Sequence, residues 1–230
     1  MIGKSYAKRP YMYLPLKGDT NDYSTNAQNP SNTGVTTTTG QFGESNGAYE
    51  WNADADKLSW ASSIGNTITE YLNLNSTILW FIYLNNSNYG LGRNLIGQYS
   101  TNSNSSFILL YRSDSTFNRT ADTVYFNGSL VSRYSIDNII TDDSWEFHSI
   151  RTKKLNATDV EFIFNDNDTK NTKSDMALIS ESSTAEFRIG ERADNARGFI
   201  GKMYNFRIYD VTLSDGALKI LNNEKGRIRA

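Results

Sequence analysis

Acidic side chains are the first candidates for chemistry in this sequence, because a glycosidase needs two carboxylates about 5 to 10 Å apart around the scissile bond. Residues 159–161 read Asp-Val-Glu, a spacing that places both carboxylates on one face of a strand. Phe162, Ile163 and Phe164 follow them instead of a further acid. The pattern therefore indicates a solvated strand edge rather than a catalytic cleft.

A second acidic segment could hold a cation. Residues 165–168 read Asn-Asp-Asn-Asp and supply hard oxygen atoms at loop spacing, the ligand type that Ca²⁺ prefers. The segment lacks the glycine and the terminal glutamate of an EF-hand, and it is also typical of a polar hairpin turn. Asp166 and Asp168 are therefore the candidate Ca²⁺ ligands, and no other cofactor is expected.

The chain has one histidine, His148, and no cysteine. This composition excludes a disulfide framework, thiolate zinc sites and thiol catalysis. His148 follows Trp145 on a predicted central strand, and no Gly-x-Ser-x-Gly nucleophile elbow accompanies it. We expect a hydrogen-bonded histidine in the core.

Sugar-binding surfaces combine an aromatic ring, which stacks on the C–H face of a sugar, with planar polar groups that bind its hydroxyls. Tyr89, Arg93 and Asn94 fall in one predicted loop, and Tyr111 and Arg112 are adjacent in a predicted strand. These five residues are the candidate ligand-binding set. The alternative is that they form part of the rim of the fold.

The overall composition limits the classes of partner. The 230 residues include 23 basic and 25 acidic side chains, a net charge of −2 that gives no general attraction to nucleic acid or to an anionic membrane. The longest apolar run, residues 78–84, is too short for membrane insertion. The first ten residues are basic but contain no apolar signal segment. We expect a protein that stays in the cytoplasm or is released without a signal peptide.

Strand-like segments separated by Asn, Asp, Ser and Gly turn signals recur along the chain. They cover residues 11–16, 48–51, 78–84, 95–99, 107–112, 124–127, 145–152, 160–165, 186–190 and 199–209. Helix signals are few: residues 67–74, and residues 214–224 with Ser214 as N-cap. The pattern predicts one all-β domain over residues 11–230, two antiparallel sheets packed face to face with a short C-terminal helix, after a basic arm of residues 1–10.

In the last strand, simple alternation places Tyr204, Phe206 and Ile208 on one face. Near the N-terminus, Asp22, Ser24 and Asn26 are expected to hydrogen-bond neighbouring backbone and to fix the long polar loop.

These segments, in this order, resemble laminin-G-like domains of the concanavalin A-like lectin/glucanase superfamily. The most specific match is residues 199–215, FIGKMYNFRIYDVTLSD, which is similar to the closing Phe-x-Gly-x-x-x-x-x-Arg-Ile-Tyr-x-x-x-Leu-Ser of that family. Residues 14–26 resemble its opening strand and turn, residues 145–150 its Trp-containing strand and residues 187–190 its Leu-x-Ile-Gly element. The glycine of its Asp-Gly-type turn is absent after Asp166.

The resemblance implies a jelly-roll sandwich with one concave and one convex sheet, in a family of sugar binders, protein binders and glycoside hydrolases. The hydrolases of this fold carry Glu-x-Asp-x-x-Glu on one strand, and this sequence has no such string. We therefore expect a non-catalytic binding or structural module that contacts a glycan or a protein surface. The alternatives are a bacterial carbohydrate-binding lectin and a glycoside hydrolase-like enzyme.

The setting we expect is a virion, with the protein as a decoration or fibre-type surface component. In that interpretation the basic arm, with Lys4, Lys8 and Arg9 before Pro10, docks on an acidic surface of a capsid or tail protein. A frayed terminus is the alternative. Homo-oligomerisation is a further expectation, although no sequence feature encodes it.

Overall fold

The computed structural model describes residues 8–84, 93–99, 107–112, 120–127, 130–136, 143–166, 169–179, 183–191 and 198–223. These residues form fifteen strands and two helices. The strands are β1 (Met12–Leu14), β2 (Ser31–Thr33), β3 (Thr36–Thr38), β4 (Ala48–Trp51), β5 (Lys57–Trp60), β6 (Asn75–Tyr83), β7 (Arg93–Gln98), β8 (Phe107–Arg112), β9 (Thr120–Asn127), β10 (Leu130–Ile136), β11 (Trp145–Lys154), β12 (Asp159–Asp166), β13 (Thr169–Ala177), β14 (Phe187–Gly190) and β15 (Gly201–Tyr209). The helices are α1 (Ser62–Leu72) and α2 (Asp215–Asn223).

The strands form two antiparallel sheets. The front sheet has eight strands in the order β13-β12-β11-β6-β15-β4-β3, with β1 paired to β15. The back sheet has seven strands in the order β10-β9-β8-β7-β14-β5-β2. This architecture confirms the predicted all-β sandwich with a short C-terminal helix.

Strand β6 lies at the centre of the front sheet, and its residues 78–82 are all apolar because both faces of the strand are covered there. Trp80 faces the interior between the sheets, where its ring lies 6.1 Å from that of His148. Phe81 faces the opposite, outer side of the front sheet and packs on Phe147 at 5.0 Å. Trp80, Phe81 and Phe147 are all buried. The front sheet therefore has a second buried layer on its outer face.

Strand β15 contains a bulge that the sequence pattern did not predict. An extra residue at Asn205, where φ is 56°, shifts the register of β15 against β6. Phe206 and Ile208 pair with β1 and are fully buried between the sheets. Tyr204 instead pairs with Phe81 and stacks on its ring at 4.6 Å on the outer face. The prediction that these three apolar residues share one face is therefore wrong for Tyr204.

The C-terminal helix begins as predicted. The Ser214 side chain accepts a hydrogen bond from the Ala217 N–H at 3.2 Å, which is the geometry of an N-cap. Helix α1 begins earlier than predicted, at Ser62, because its first turn contains polar residues and Gly65, which weaken the local helix signal. Gly65 allows the helix to approach β7 closely, since a Cβ there would lie 2.5 Å from the Gln98 amide nitrogen.

The N-terminal loop is fixed by one buried carboxylate, Asp22. Its oxygens accept hydrogen bonds from the N–H groups of Tyr13, Ser24 and Gln28, each at 2.8 Å. The Asn26 amide donates to a β1-proximal carbonyl, that of Tyr11, at 2.7 Å. The predicted role of Asp22, Ser24 and Asn26 is confirmed. In the part of the chain that the structure describes, both helices are too short and too polar to span a bilayer.

Candidate functional site

A cavity of about 180 Å³ lies between α2 and the outer face of the front sheet. Strands β11, β12 and β13 provide its floor and α2 provides its roof. The lining residues are Phe147, Asn165, Lys170, Asp215, Leu218, Lys219 and Asn222.

Strand alternation explains which side chains reach this face. Along β11, Phe147, Ser149 and Arg151 lie on the outer face, whereas Glu146 and His148 face the interior. The outer-face residues remain buried because α2 covers them. Of these three residues, Phe147 lines the cavity and forms its aromatic wall.

Helix α2 covers the sheet with an apolar stripe. Leu218 and Leu221 are its buried residues and lie three positions apart, which places both on the side facing the sheet. Asn222 is four positions after Leu218 and so lies on the same side. The helix thus brings an apolar wall and an amide to the cavity together.

An ion pair anchors the beginning of α2. The guanidinium of Arg151 lies 2.6 Å from the carboxylate of Asp215 and also donates to the Leu213 carbonyl and to Asn165 Oδ1, each at 2.9 Å. The hydrogen bond from Arg151 lowers the pKa of the Asp215 carboxyl, so this residue stays ionised. Lys170 lies 3.8 Å from the same carboxylate. Two side chains from two strands, Arg151 of β11 and Lys170 of β13, therefore converge on the carboxylate at the beginning of α2.

Three buried polar atoms under or on α2 have no hydrogen-bond partner: Asn222 Oδ1, which lines the cavity, and Ser149 Oγ and Arg151 Nε on the sheet. They are half of the six such atoms found among the described residues. Ser149 is directly opposite the lining residue Asn165 in the β11–β12 register. Buried polar groups are normally paired, because leaving one unpaired costs about 1 to 3 kcal/mol. Asn222 Oδ1 therefore offers the cavity an unpaired acceptor for a polar ligand.

The charges around the cavity are unequal. Arg151, Lys170 and Lys219 carry positive charge, and Asp215 is the one acidic side chain among the described residues that line it. Because Arg151 already neutralises Asp215, the two lysines leave the entrance positive. Lys219 is exposed on α2 and free to turn toward a ligand.

Of the residues predicted to bind a ligand, Arg93 and Asn94 occupy the rim of the back sheet. Arg93 forms an ion pair with Asp54 and donates to the Gly198 carbonyl at 3.1 Å. Asn94 is buried, and its amide donates to the Glu191 carbonyl at 2.8 Å. These contacts join neighbouring segments of the chain, so the structure assigns both residues a packing role and leaves their ligand binding a prediction.

Tyr111 lies in the core rather than on a binding surface. It is fully buried, and its hydroxyl lies 2.5 Å from Nδ1 of His148. Nε2 of His148 in turn lies 3.2 Å from a carboxylate oxygen of Glu146. This network joins the back sheet to the front sheet and confirms the prediction of a hydrogen-bonded core histidine. The proposed stacking role of Tyr111 is corrected, because no face of its ring reaches solvent.

The other predicted ligand-binding residues, Tyr89 and the side chain of Arg112, lie outside the described residues. So do Asp168 and the side chain of Asp166, and the Ca²⁺ site stays a prediction. Elsewhere in the described chain, no three His, Cys, Asp or Glu side chains lie close enough to hold a metal ion.

In the basic arm, Lys8 forms a 2.9 Å ion pair with Asp210, and Arg9 is exposed. Lys4 lies outside the described residues. The docking role of these residues stays a prediction.

The cavity residues were missed because they do not form a sequence motif. Phe147, Asn165 and Lys170 stand on three different strands, and Asn222 follows them by a long stretch of chain. The local signal is limited to two polar residues, Ser149 and Arg151, at outward-facing positions of a strand that is buried from Glu146 to Thr152.

No protein-family model matches the sequence, and no curated protein matches it either. Solved structures of similar fold exist. The binding domain of botulinum neurotoxin serotype D has a TM-score of 0.68 at 14% identity, over 94% of this chain and 52% of that chain. The binding domain of Paraclostridial Mosquitocidal Protein 1 has a TM-score of 0.64 at 15% identity, over 94% and 52%.

A third structure is a carbohydrate-binding module, CBM40, of the Ruminococcus gnavus IT-sialidase, bound to α2,3-sialyllactose. Its TM-score is 0.56 at 13% identity, over 76% of this chain and 95% of that module. This chain spans about half the length of the toxin binding domains. At these identities the likeness establishes the class of fold, a two-sheet β-sandwich shared with binding domains. The resemblance to laminin-G-like domains stays a prediction at the level of the family.

Proposed function

We propose that this protein is a non-catalytic carbohydrate-binding module and that one sugar unit of its ligand occupies the cavity under α2. The observation that carries the proposal is the unpaired buried acceptor Asn222 Oδ1, which lines the cavity opposite the aromatic wall formed by Phe147. The likeness to a sandwich described as bound to sialyllactose supports the same class of ligand.

The size and lining of the cavity fit one sugar ring. A cavity of about 150 Å³ holds a benzene molecule, so the 180 Å³ present here suits a single six-membered ring. Phe147 and Leu218 present apolar surface to the C–H groups of a sugar. Asn165 and Asn222 present amides to its hydroxyls. This division between apolar and polar walls is what a pyranose requires.

The absence of catalysis is part of the proposal. Glycoside hydrolysis needs a pair of carboxylates about 5 to 10 Å apart. Among the described lining residues only Asp215 is acidic, and Arg151 holds it in an ion pair. Asp159, from the Asp-Val-Glu segment, accepts hydrogen bonds from Asn156 and Thr158 in a hairpin turn. Release of reducing sugar from β-glucans, abolished by substitution of Asp159 or Glu161, would contradict this part.

The test of binding uses a glycan microarray followed by calorimetric titration of the best oligosaccharide. Asn222→Leu keeps the approximate shape of the side chain and removes its amide, and we expect a loss of affinity of about 10-fold or more. Asn223→Leu is the matched control, because Asn223 is the adjacent but exposed residue of α2. The control should bind normally.

A blank microarray would refute carbohydrate binding. Normal binding by Asn222→Leu would refute the position of the site. Thermal unfolding of both variants separates loss of ligand contacts from loss of fold, since Asn222 Oδ1 has no partner in the fold to lose.

For the biological setting we propose the surface of a virion, with residues 1–10 as the docking arm. The basic character of this arm and the exposure of Arg9 support the proposal. Deletion of residues 1–10 should abolish attachment to the particle and leave thermal unfolding nearly unchanged. Unchanged attachment would favour the alternative, a free carbohydrate-binding lectin.

A further inference from the structure

Two aromatic side chains reach solvent on the same face of the front sheet that holds the cavity. Trp145 begins β11 and Tyr83 ends β6, and the two residues are paired directly across the sheet. Their ring centroids lie 5.6 Å apart, and both residues are partly exposed. We call this pair the aromatic platform.

Neighbouring aromatic side chains on the same face of the sheet support the platform. Trp145 packs edge-on against Tyr204 at 5.1 Å, and Tyr204 stacks on Phe81 at 4.6 Å. The Tyr204 hydroxyl donates to the Gln41 side chain at 2.6 Å. Tyr204 and Phe81 are both buried, so Trp145 packs against a buried aromatic layer on the same face of the sheet.

The same rings connect the platform to the cavity. Phe81 also packs on Phe147 at 5.0 Å, and Phe147 is the aromatic wall of the cavity. Trp145 and Phe147 are two residues apart on one strand face, a step of about 7 Å. The platform therefore lies within reach of a ligand that already occupies the cavity.

Polar groups flank the platform at hydroxyl-binding positions. The Lys202 ammonium lies 5.3 Å from the centre of the Tyr83 ring and 3.9 Å from the Glu50 carboxylate. The Tyr83 hydroxyl lies 3.4 Å from a carboxylate oxygen of Asp143. A ring face bordered by a cation and carboxylates is suited to a sugar, which presents C–H groups on one face and hydroxyls at its edge.

We propose that the aromatic platform is a second sugar subsite, so that the protein binds an oligosaccharide of two or more units along the outer face of the front sheet. This inference rests on the proposed function, since the first sugar unit occupies the cavity. One unit lies under α2 and a following unit stacks on Trp145 or Tyr83. The ligand is therefore an internal or terminal stretch of a glycan chain rather than a free monosaccharide.

The first test compares ligand lengths. The best oligosaccharide from the glycan microarray is titrated beside each of its component monosaccharides. We expect the oligosaccharide to bind at least about 5-fold more tightly than any of its monosaccharides, the ratio that about 1 kcal/mol of stacking produces. Equal affinities would overturn the second subsite and leave the proposed function intact, whereas a blank microarray would remove both.

The second test locates the contact. The chain has four tryptophans, and their indole N–H groups give separate signals in a ¹⁵N-correlated NMR spectrum. Trp51 and Trp80 are buried, and the Trp60 indole N–H donates to the Gln28 carbonyl at 2.6 Å. Addition of the oligosaccharide should therefore move the Trp145 signal most. A Trp145 signal that does not move under saturating oligosaccharide would overturn the proposal.

Substitution completes the test. Tyr83→Ala should weaken oligosaccharide binding about 5-fold and leave the best monosaccharide unaffected. Tyr23→Ala is the matched control, because Tyr23 is also an exposed tyrosine that hydrogen-bonds an aspartate, Asp19, but lies in the N-terminal loop. Equal effects of both substitutions, or an equal loss for the monosaccharide, would contradict a separate subsite.

Discussion

Replacing Tyr111 by phenylalanine removes one hydroxyl from the hydrogen-bond network that joins the two sheets. The hydroxyl lies 2.5 Å from His148 Nδ1, and both residues are fully buried. Whichever atom donates, the imidazole loses this partner in a place that water does not reach. Such a loss costs about 1 to 3 kcal/mol. We therefore expect Tyr111→Phe to lower the free energy of unfolding by about 2 kcal/mol.

For a chain of this size, 1 kcal/mol corresponds to about 2 to 4 °C in the unfolding midpoint, so Tyr111→Phe should unfold about 4 to 8 °C earlier. Urea titration followed by tryptophan fluorescence gives the free energy, and an unchanged slope shows that the denatured state is the same. Tyr23→Phe is the control, because Tyr23 is 61% exposed and its hydroxyl contact with Asp19 is solvated. This control should change stability by less than about 0.5 kcal/mol.

A double-mutant cycle tests the coupling itself. If the Tyr111–His148 contact is the cause, the loss from Tyr111→Phe combined with His148→Phe should be smaller than the sum of the two single losses. A loss for Tyr111→Phe no larger than that of Tyr23→Phe would refute the reasoning. Strict additivity in the cycle would also refute it.

Two further predictions concern other parts of the fold. Because the hydrogen bond from Arg151 lowers the pKa of Asp215, the stability that this pair contributes is present above the ordinary carboxyl pKa and is lost as pH falls through the lowered value. Asp215→Asn should therefore lower the free energy of unfolding by less than about 1 kcal/mol at neutral pH, since the pair is partly solvated, and should have no effect in strong acid. Urea titrations of both proteins at several pH values check this, and a difference that grows as pH falls would contradict it. Gly190→Ala should destabilise the protein by more than about 2 kcal/mol, because a Cβ at φ 106° would lie 2.4 Å from the Trp51 indole nitrogen. Gly43→Ala is the control, because Gly43 also has a positive φ but open space around it, and it should cost only about 1 kcal/mol by thermal unfolding. Equal losses for the two variants would show that the close contact with Trp51 does not cause the loss at Gly190.

Local patterns predicted much of the fold because local physics decides those features. The continuous apolar run of β6 indicated a strand covered on both faces, and Phe81 and Trp80 are indeed buried on opposite sides. The Ser214 cap and the Asp22 loop were predictable because most of their hydrogen bonds join backbone groups only a few residues away. The exceptions are the bond of Asp22 to Tyr13 of β1 and the bond of Asn26 to Tyr11, just before β1.

The errors have a tertiary cause. Alternation failed at Tyr204 because the Asn205 bulge is a property of the β15–β6 pairing, which allows one strand to carry an extra residue. Tyr111 is an aromatic residue beside an arginine, a combination typical of sugar-binding surfaces. It nevertheless lies in the core, because its hydroxyl contacts His148 on the opposite sheet. In both cases the decisive neighbour is distant in sequence.

The amino-acid sequence by itself determined that the chain forms strands joined by polar turns, that these strands carry enough apolar surface for two packed sheets, and that a capped helix closes the chain. Only the tertiary structure decided where a ligand can bind. The cavity exists because sheet order places β11, β12 and β13 side by side and because α2 returns over them, so that Phe147, Asn165 and Asn222 meet. Strand periodicity fixes the face of each side chain, whereas the neighbours on that face follow from long-range pairing that no local segment encodes.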